Sequence, residues 1–239
     1  MELSKKDIWK QGFKDGIPIG LGYFAVSLTF GLQCGIVGLG IFESTLLSFT
    51  NLTSAGQFGG LELIAAQASY FEMAFTQFIL NLRYILMSTS LSQKLDMKTS
   101  IPHRLLVSHG ITDEIFGISM AVKGVLSPYY NYGAMTVSIP CWATGAMMGV
   151  LMGNILPQNL VSALSVGLYG MFLPIVIPPA RKNKIIAGIV ILSMILSFLF
   201  TKIPFISGMS SGIRVIVLTV VIALLAAILF PVKEEENEG

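Results

Sequence analysis

The stretch IIAGIVILSMILSFLF, residues 185–200, decides the fold class, and VIVLTVVIALLAAILF, residues 215–230, repeats its message. Neither contains an ionisable group or a proline. With their flanks, Ile185–Ile203 and Ile213–Phe230 approach the roughly 20 apolar residues that a helix needs to cross a hydrocarbon core about 30 Å thick. They have no polar face, so they read as lipid-facing supports, with Lys202 and Arg214 as interface anchors. Working outward, six more candidate spans precede them: Ile17–Gly40, Phe42–Gln67, Met73–Leu91, Leu105–Val122, Tyr132–Ile155 and Leu160–Pro179. Composition agrees. Only 12% of the 239 residues are charged and 54% are hydrophobic, against about 25% charged in a typical soluble domain. No soluble domain of ordinary size fits between the spans.

The expected fold is therefore all-α: a polytopic transmembrane helical bundle of six to eight membrane segments, one or two of them broken or re-entrant. Residues 1–16 carry Lys5, Lys6, Lys10 and Lys14 interleaved with Leu3, Ile8, Trp9 and Phe13. That pattern suggests a cytoplasmic, interfacial amphipathic segment. The apolar stretch after it is longer than a signal-peptide core and lacks an A-x-A-like site, so it reads as a retained span. Residues 17–230 form one transmembrane domain, and 231–239 an acidic, disordered cytoplasmic tail. Basic clusters at the N-terminus, at 92–104 and at 181–184 favour cytoplasmic loops. All three face the cytoplasm if two segments re-enter, and either count places both termini inside the cell.

Two spans are poor membrane helices. Phe42–Gln67 holds Gly56, Gly59 and Gly60 among Thr, Asn, Ser and Gln, a cluster that an unbroken lipid-facing helix tolerates badly. Leu105–Val122 carries His109, Asp113 and Glu114 near its centre. Non-helical backbone at membrane depth survives only where protein or a water cavity covers it. Both read as broken segments inside the protein. Small residues four apart, Gly31 and Gly35 on one helix and Gly145, Gly149 and Gly153 on another, mark faces for close helix packing. Pro18, Pro140 and Pro174 are expected to kink helices, and Pro178-Pro179 to end one.

Ionisable groups at mid-membrane are functional candidates by default. Arg83 lies deep in MAFTQFILNLRYILMSTSL, near Gln77 and Asn81, and needs a partner carboxylate. Asp113 and Glu114 are the candidates. As neighbours on a helix they diverge by about 100°, so one can meet Arg83 while the other faces a cavity. A carboxylate buried without full compensation can exchange a proton near neutral pH. Thr112 is placed to cap a half-helix beginning at Asp113. In Thr53-Ser54-Ala55-Gly56-Gln57-Phe58, a chain break would free backbone donors for a carboxylate. There Ser54 and Gln57 would add side-chain donors and acceptors suited to a zwitterion. Glu43, Glu62 and Glu72 read as interfacial, with Glu62 closest to the glycines.

Other chemistry finds no footing in the sequence. Cys34 and Cys141 lie in apolar stretches and read as small packing residues. With His103 and His109 they make no metal-ligand spacing, so neither metal nor cofactor is expected. No GxxxxGK[ST], HExxH or GxSxG element appears. An enzyme is not expected, and nothing suggests nucleic-acid binding.

The motifs carry a resemblance. Gly16-Ile17-Pro18 followed by Gly31, then Ser54-Ala55-Gly56-Gln57-Phe58, then Asn81-Leu82-Arg83-Tyr84 with Met87-Ser88-Thr89-Ser90-Leu91, and Thr112-Asp113-Glu114-Ile115-Phe116 resemble, in order, elements of the AzlC/YgaZ family of branched-chain amino acid exporters. The likeness covers about residues 10–230. Tyr84 departs from it, standing where His is common. The resemblance implies a secondary transporter subunit in the cytoplasmic membrane, exporting branched-chain amino acids such as valine, leucine or isoleucine. It also implies a small second membrane subunit of the AzlD/YgaH type. Combined with the residues, it suggests a substrate pathway through Ser54, Gly56, Gln57, Phe58, Asn81, Arg83, Asp113, Glu114 and Phe116. Phe58 and Phe116 would hold the aliphatic side chain, and Arg83 with Asp113 or Glu114 would couple transport to protons. The alternative is a channel, or a carrier for another small organic solute. A scaffold for another transporter subunit is a further reading.

Overall fold

The computed structural model describes residues 4–153, 155, 159, 176–203 and 211–230. Those residues are helical, apart from short connections and one isolated bridge between Leu95 and Leu126. The protein is an all-α membrane bundle. Ten helices with described bounds follow in order among the described residues: α1 (Lys5–Val37), α2 (Ile41–Thr50), α3 (Ala55–Ala65), α4 (Tyr70–Leu80), α5 (Leu82–Lys94), α6 (Ile101–His109), α7 (Asp113–Ala121), α8 (Pro128–Gly153), α9 (Lys184–Lys202) and α10 (Ser211–Leu229). Three of them, α1, α8 and α9, are long and apolar enough to cross a membrane. The expected span Leu160–Pro179 and the tail after Phe230 lie almost wholly outside the described residues. The described chain forms two units, one of Met1–Leu61 with Leu80–Leu168 and one of Glu62–Ile79 with Tyr169–Gly239.

The first unit is organised on α1 and α8. Ser4 caps α1 through the Asp7 amide, and Gly38 closes it in the left-handed conformation at φ 89°. The helix has 33 residues, about 50 Å at 1.5 Å per residue. The helix runs without interruption from Lys5 to Val37, through the lysine-rich stretch and into the first apolar one. Gly12, Gly16 and Gly133 press this early part of α1 onto α8. Pro18 and Pro140 sit inside α1 and α8.

The small-residue faces are where the two backbones touch. A Cβ at Gly31 would overlap the carbonyl of Ala146, and one at Gly149 would overlap the carbonyl of Leu28. Gly145 meets Ser27 and the Phe24 carbonyl in the same way. Gly35, the other half of the expected pair on α1, has nothing within 4 Å of the corresponding position. Ser27 fills the remaining space and donates to the Trp142 carbonyl. Cys34 is buried here and Cys141 partly so, and both are free thiols.

The spans between α1 and α8 are interrupted rather than continuous. Phe42–Gln67 resolves into α2 and α3, and Leu105–Val122 into α6 and α7. Each half is 9 to 11 residues long, roughly half of a 30 Å core. In the first, the glycines do not make the break. Gly56, Gly59 and Gly60 are helical, and the chain leaves the helix earlier, at 51–54. A third interruption, not expected, falls at Asn81 between α4 and α5, in what the sequence suggests is one span, Met73–Leu91. One or two broken segments are expected, and three are present among the described residues. The polar backbone-competing side chains of Asn and Thr, more than glycine, set these boundaries.

In the second unit, α9 and α10 pack on each other. No side chain of α9 is buried, and Ile191, Met194 and Phe198 project outward. Such an apolar surface suits lipid. Pro178 and Pro179 do not end a helix: the chain stays helical over 176–182. Proline obstructs the turn before it rather than the turn after.

Candidate functional site

The three interruptions in the first half of the chain meet at one place. Asn51, Leu52 and Thr53 of the first break, Asn81 of the second, and Ser108, His109 and Ile111 at the third line a cavity of about 420 Å³. Thr50, Tyr84 and Ser88 complete its wall. The volume falls in the range of small-molecule sites. Most of the lining residues are polar, and Leu52 and Ile111 add apolar surface.

Each break is built by local hydrogen bonding. At the end of α2, Asn51 Oδ1 accepts from the Thr53 amide at 3.0 Å and from Thr53 Oγ1 at 2.7 Å. This Asx turn draws the backbone out of the helix. Ser54 then adopts φ 41°, a left-handed conformation unusual for a residue with a Cβ. Asn81 sits at φ −101° and ψ 5°, the bridge region, and its carbonyl accepts from the Tyr84 amide at 3.0 Å. At the third break, Thr112 turns extended and its Oγ1 accepts from the Ile115 amide at 3.3 Å, starting α7. The cap stands where the sequence suggests, with Asp113 and Glu114 in the first turn of α7. Their charge there complements the helix dipole.

The two carboxylates go separate ways. Asp113 Oδ2 pairs with Arg83 Nη1 at 2.9 Å, with the two side chains 25% and 32% exposed. The Tyr84 ring lies against the same guanidinium, 5.3 Å from centroid to Cζ. Glu114 turns to α1, where the Tyr23 hydroxyl donates to its Oε2 at 2.6 Å. Tyr23 is also hydrogen-bonded to the Thr112 hydroxyl. One phenol carries one proton, so the consistent order runs from Thr112 to Tyr23 to Glu114. The start of α7 is thereby fastened on one side to α5 and on the other to α1.

A further link reaches α3. Gln57 is 3% exposed, and its Oε1 accepts from Trp142 Nε1 at 2.9 Å while its Nε2 donates to the Leu47 carbonyl at 3.4 Å. The Trp142 ring meets Tyr23 edge-on, with centroids 5.4 Å apart. Gln57 is therefore engaged within the protein and connected, through Trp142 and Tyr23, to Glu114.

The expected site residues thus divide. Arg83, Asp113 and Glu114 form the charged cluster, and Asn81 lines the cavity beside it. Gly56 is buried in the first turn of α3 and its amide bonds to the Thr53 carbonyl at 3.2 Å. Ser54 holds the turn before it. Phe58 does not reach the cavity: it is 7% exposed in an apolar cluster with Leu61 and Ala146, its ring edge-on to Phe30 at 5.2 Å. Phe116 packs against the cluster of Met87, Leu91 and Val107 and is likewise absent from the cavity wall. Both are large apolar side chains for which core packing satisfies the same physics as ligand contact.

Sequence reasoning missed Tyr23, Thr50, Asn51 and Ser108, and gave Thr53 and Ser88 no role of their own. Ser, Thr and Asn inside a span are usually spent on nearby backbone carbonyls, as Thr50 is on Leu46 at 2.8 Å. For Thr50, Asn51, Thr53 and Ser108 the signal is their position beside a break, whereas Ser88 lies within α5 and Tyr23 within α1.

Comparison with known proteins agrees with the motifs. The family described as AzlC protein matches residues 18–156. An uncharacterized membrane protein of Archaeoglobus fulgidus is 30% identical over 189 residues, covering 78% of this chain and 83% of the relative. The inner membrane protein YgaZ of Escherichia coli is 28% identical over 153 residues, 62% of each chain. An uncharacterized membrane protein of Helicobacter pylori is 25% identical over 150 residues, 61% of this chain and 64% of the relative. The matches to the last two span less than two thirds of those relatives' lengths. No solved structure matches. The matched region contains all three breaks and the whole charged cluster, and the chain belongs to the AzlC family of membrane proteins.

Proposed function

We propose that the protein is the large subunit of a secondary transporter that moves aliphatic, branched-chain amino acids out of the cytoplasm across the cell membrane. One observation carries this reading: three mid-span breaks open onto one small cavity, next to an ion pair that an apolar frame would otherwise exclude. Broken helices at membrane depth supply backbone and side-chain polar groups for a solute without exposing them to lipid. The cavity is of amino-acid scale, and membership of the AzlC family, with the motif resemblance to its exporters, supports the substrate class and the direction.

Proton coupling belongs to the same proposal. Glu114 is the exposed member of the carboxylate pair, held by Tyr23, which is itself hydrogen-bonded to Thr112. Neutralising its charge would weaken the charge-assisted hydrogen bond from Tyr23 to α7, while Asp113 stays on Arg83. A small partner of the AzlD/YgaH type completes the unit, and both termini face the cytoplasm.

The test is efflux of labelled valine or isoleucine from preloaded cells, with and without the small partner. The reading predicts saturable efflux sensitive to the proton gradient, lost in Asp113→Asn and Glu114→Gln variants that still reach the membrane. Unchanged efflux in both variants would remove the assigned roles. A second reading has one observation in its favour. The cavity wall holds more hydroxyl and amide groups than aliphatic ones, which suits a smaller polar solute. Stronger competition by serine than by valine would favour it.

A further inference from the structure

The cavity gives a solute room, and Arg83 says which end of it is held. Its Nη1 is committed to Asp113. Its Nε and Nη2 are shut off from solvent and have no hydrogen-bond acceptor among the described residues. Those two nitrogens form the side-on edge of the guanidinium, whose parallel N–H groups match the two oxygens of a carboxylate. A buried donor pair without an acceptor is costly unless something supplies one. Tyr84 touches both parties: its ring lies on the guanidinium and it lines the cavity with Asn81. The start of α7 offers a poorer seat for an anion, because Asp113 and Glu114 already occupy its first turn.

Resting on the amino-acid reading above, we propose that Arg83 is the carboxylate anchor of the transport site. The Nε–Nη2 edge takes the substrate carboxylate in a bidentate pair while Nη1 stays on Asp113. Tyr84 swings aside to let the carboxylate pass from the cavity to that edge. Asp113 is then a positioning residue. It fixes the guanidinium plane and offsets part of its charge, so that the carboxylate is held without being trapped.

Titration calorimetry on the purified full chain with its small partner tests this, using four probes. Valine has both charged ends, valinamide lacks the carboxylate, isovalerate lacks the ammonium, and serine has both ends with a polar side chain. Wild type should bind valine at least about tenfold more tightly than valinamide. Arg83→Lys keeps the charge but loses the fork. It should weaken valine and isovalerate about tenfold or more and leave valinamide unchanged. Equal binding of valine and valinamide by wild type would overturn the anchor, as would equal weakening of all probes by Arg83→Lys. If Arg83→Lys fails to fold, the neutral pair Arg83→Gln/Asp113→Asn takes its place, and it must bind valine and valinamide alike. Binding of isovalerate or serine without valine would sink the branched-chain reading and leave the anchor standing. Binding of no carboxylate probe by wild type would overturn both.

Discussion

The α1/α8 pair and the interrupted segments beside it solve opposite problems with the same chain. In α1 and α8, 33 and 26 residues run as unbroken helix, so most backbone groups are satisfied within each element. What remains is packing, and glycine lets the two backbones meet directly. The segments α2–α3 and α6–α7 give up that economy. Their ends at 51–54 and 110–112 leave backbone amides for the Asn51 and Thr112 side chains to satisfy, and they open the cavity. The difference teaches that apolar length marks the frame, whereas polar helix ends mark the cavity.

The comparison can be broken first at the frame. Gly31→Leu would drive a side chain into the Ala146 backbone, which cannot move aside as a side chain can. We expect a loss of at least about 3 kcal/mol, seen as little folded protein in membranes and a lowered thermal midpoint. Gly35→Leu, with open space around it, should change stability by no more than about 0.5 kcal/mol. Equal effects of the two would mean that α1 and α8 do not pack through this face.

Next comes the ion pair. Asp113→Asn leaves the Arg83 charge without a partner. A fully buried pair broken this way costs about 3–5 kcal/mol, and here partial exposure reduces the expected loss to about 1–3 kcal/mol. The double variant Arg83→Gln/Asp113→Asn should recover much of it in thermal unfolding, while efflux stays absent. Recovery of stability without efflux separates the pair's work in transport from its structural part. Recovered efflux would assign the pair to the frame.

Smaller effects belong to the breaks. Thr112→Val removes the α7 cap and the contact with Tyr23, an expected loss of about 1 kcal/mol. Smallest of all, Ser54→Gly should stabilise by about 0.5 kcal/mol, because glycine accepts φ 41° without strain. A destabilised Ser54→Gly would show that the serine hydroxyl matters more to the turn than its backbone does.

How far the sequence reaches follows from the same contrast. The membrane class was readable from 185–200 and 215–230, since no other fold tolerates such runs. Breaks in 42–67 and 105–122 were readable because polar residues crowd mid-span, as was the choice of Asp113 or Glu114 to face Arg83. The position of the first break was not. Glycine drew the eye to 56–60, but within a packed helix glycine is tolerated, while the Asn51–Thr53 turn competes with the helix outright. Asn81 escaped because one residue in the bridge conformation leaves the hydropathy of 73–91 untouched. Tyr23 is 89 residues from Thr112 and 91 from Glu114 in sequence, a pairing that only the fold creates. Phe58 and Phe116 lie in apolar packing away from the cavity wall; an aromatic in the core and an aromatic at a ligand look alike in sequence.

The central claim, that the cavity at the three breaks is the transport path, is tested most directly by filling it. Ser88 and Ser108 line it from α5 and α6. Valine efflux is measured from preloaded cells carrying Ser88→Trp or Ser108→Trp, at matched membrane levels, beside Met194→Trp on the exposed face of α9. The account predicts that either indole abolishes efflux and that Met194→Trp leaves it at the wild-type rate. Wild-type efflux through both filled variants would contradict it.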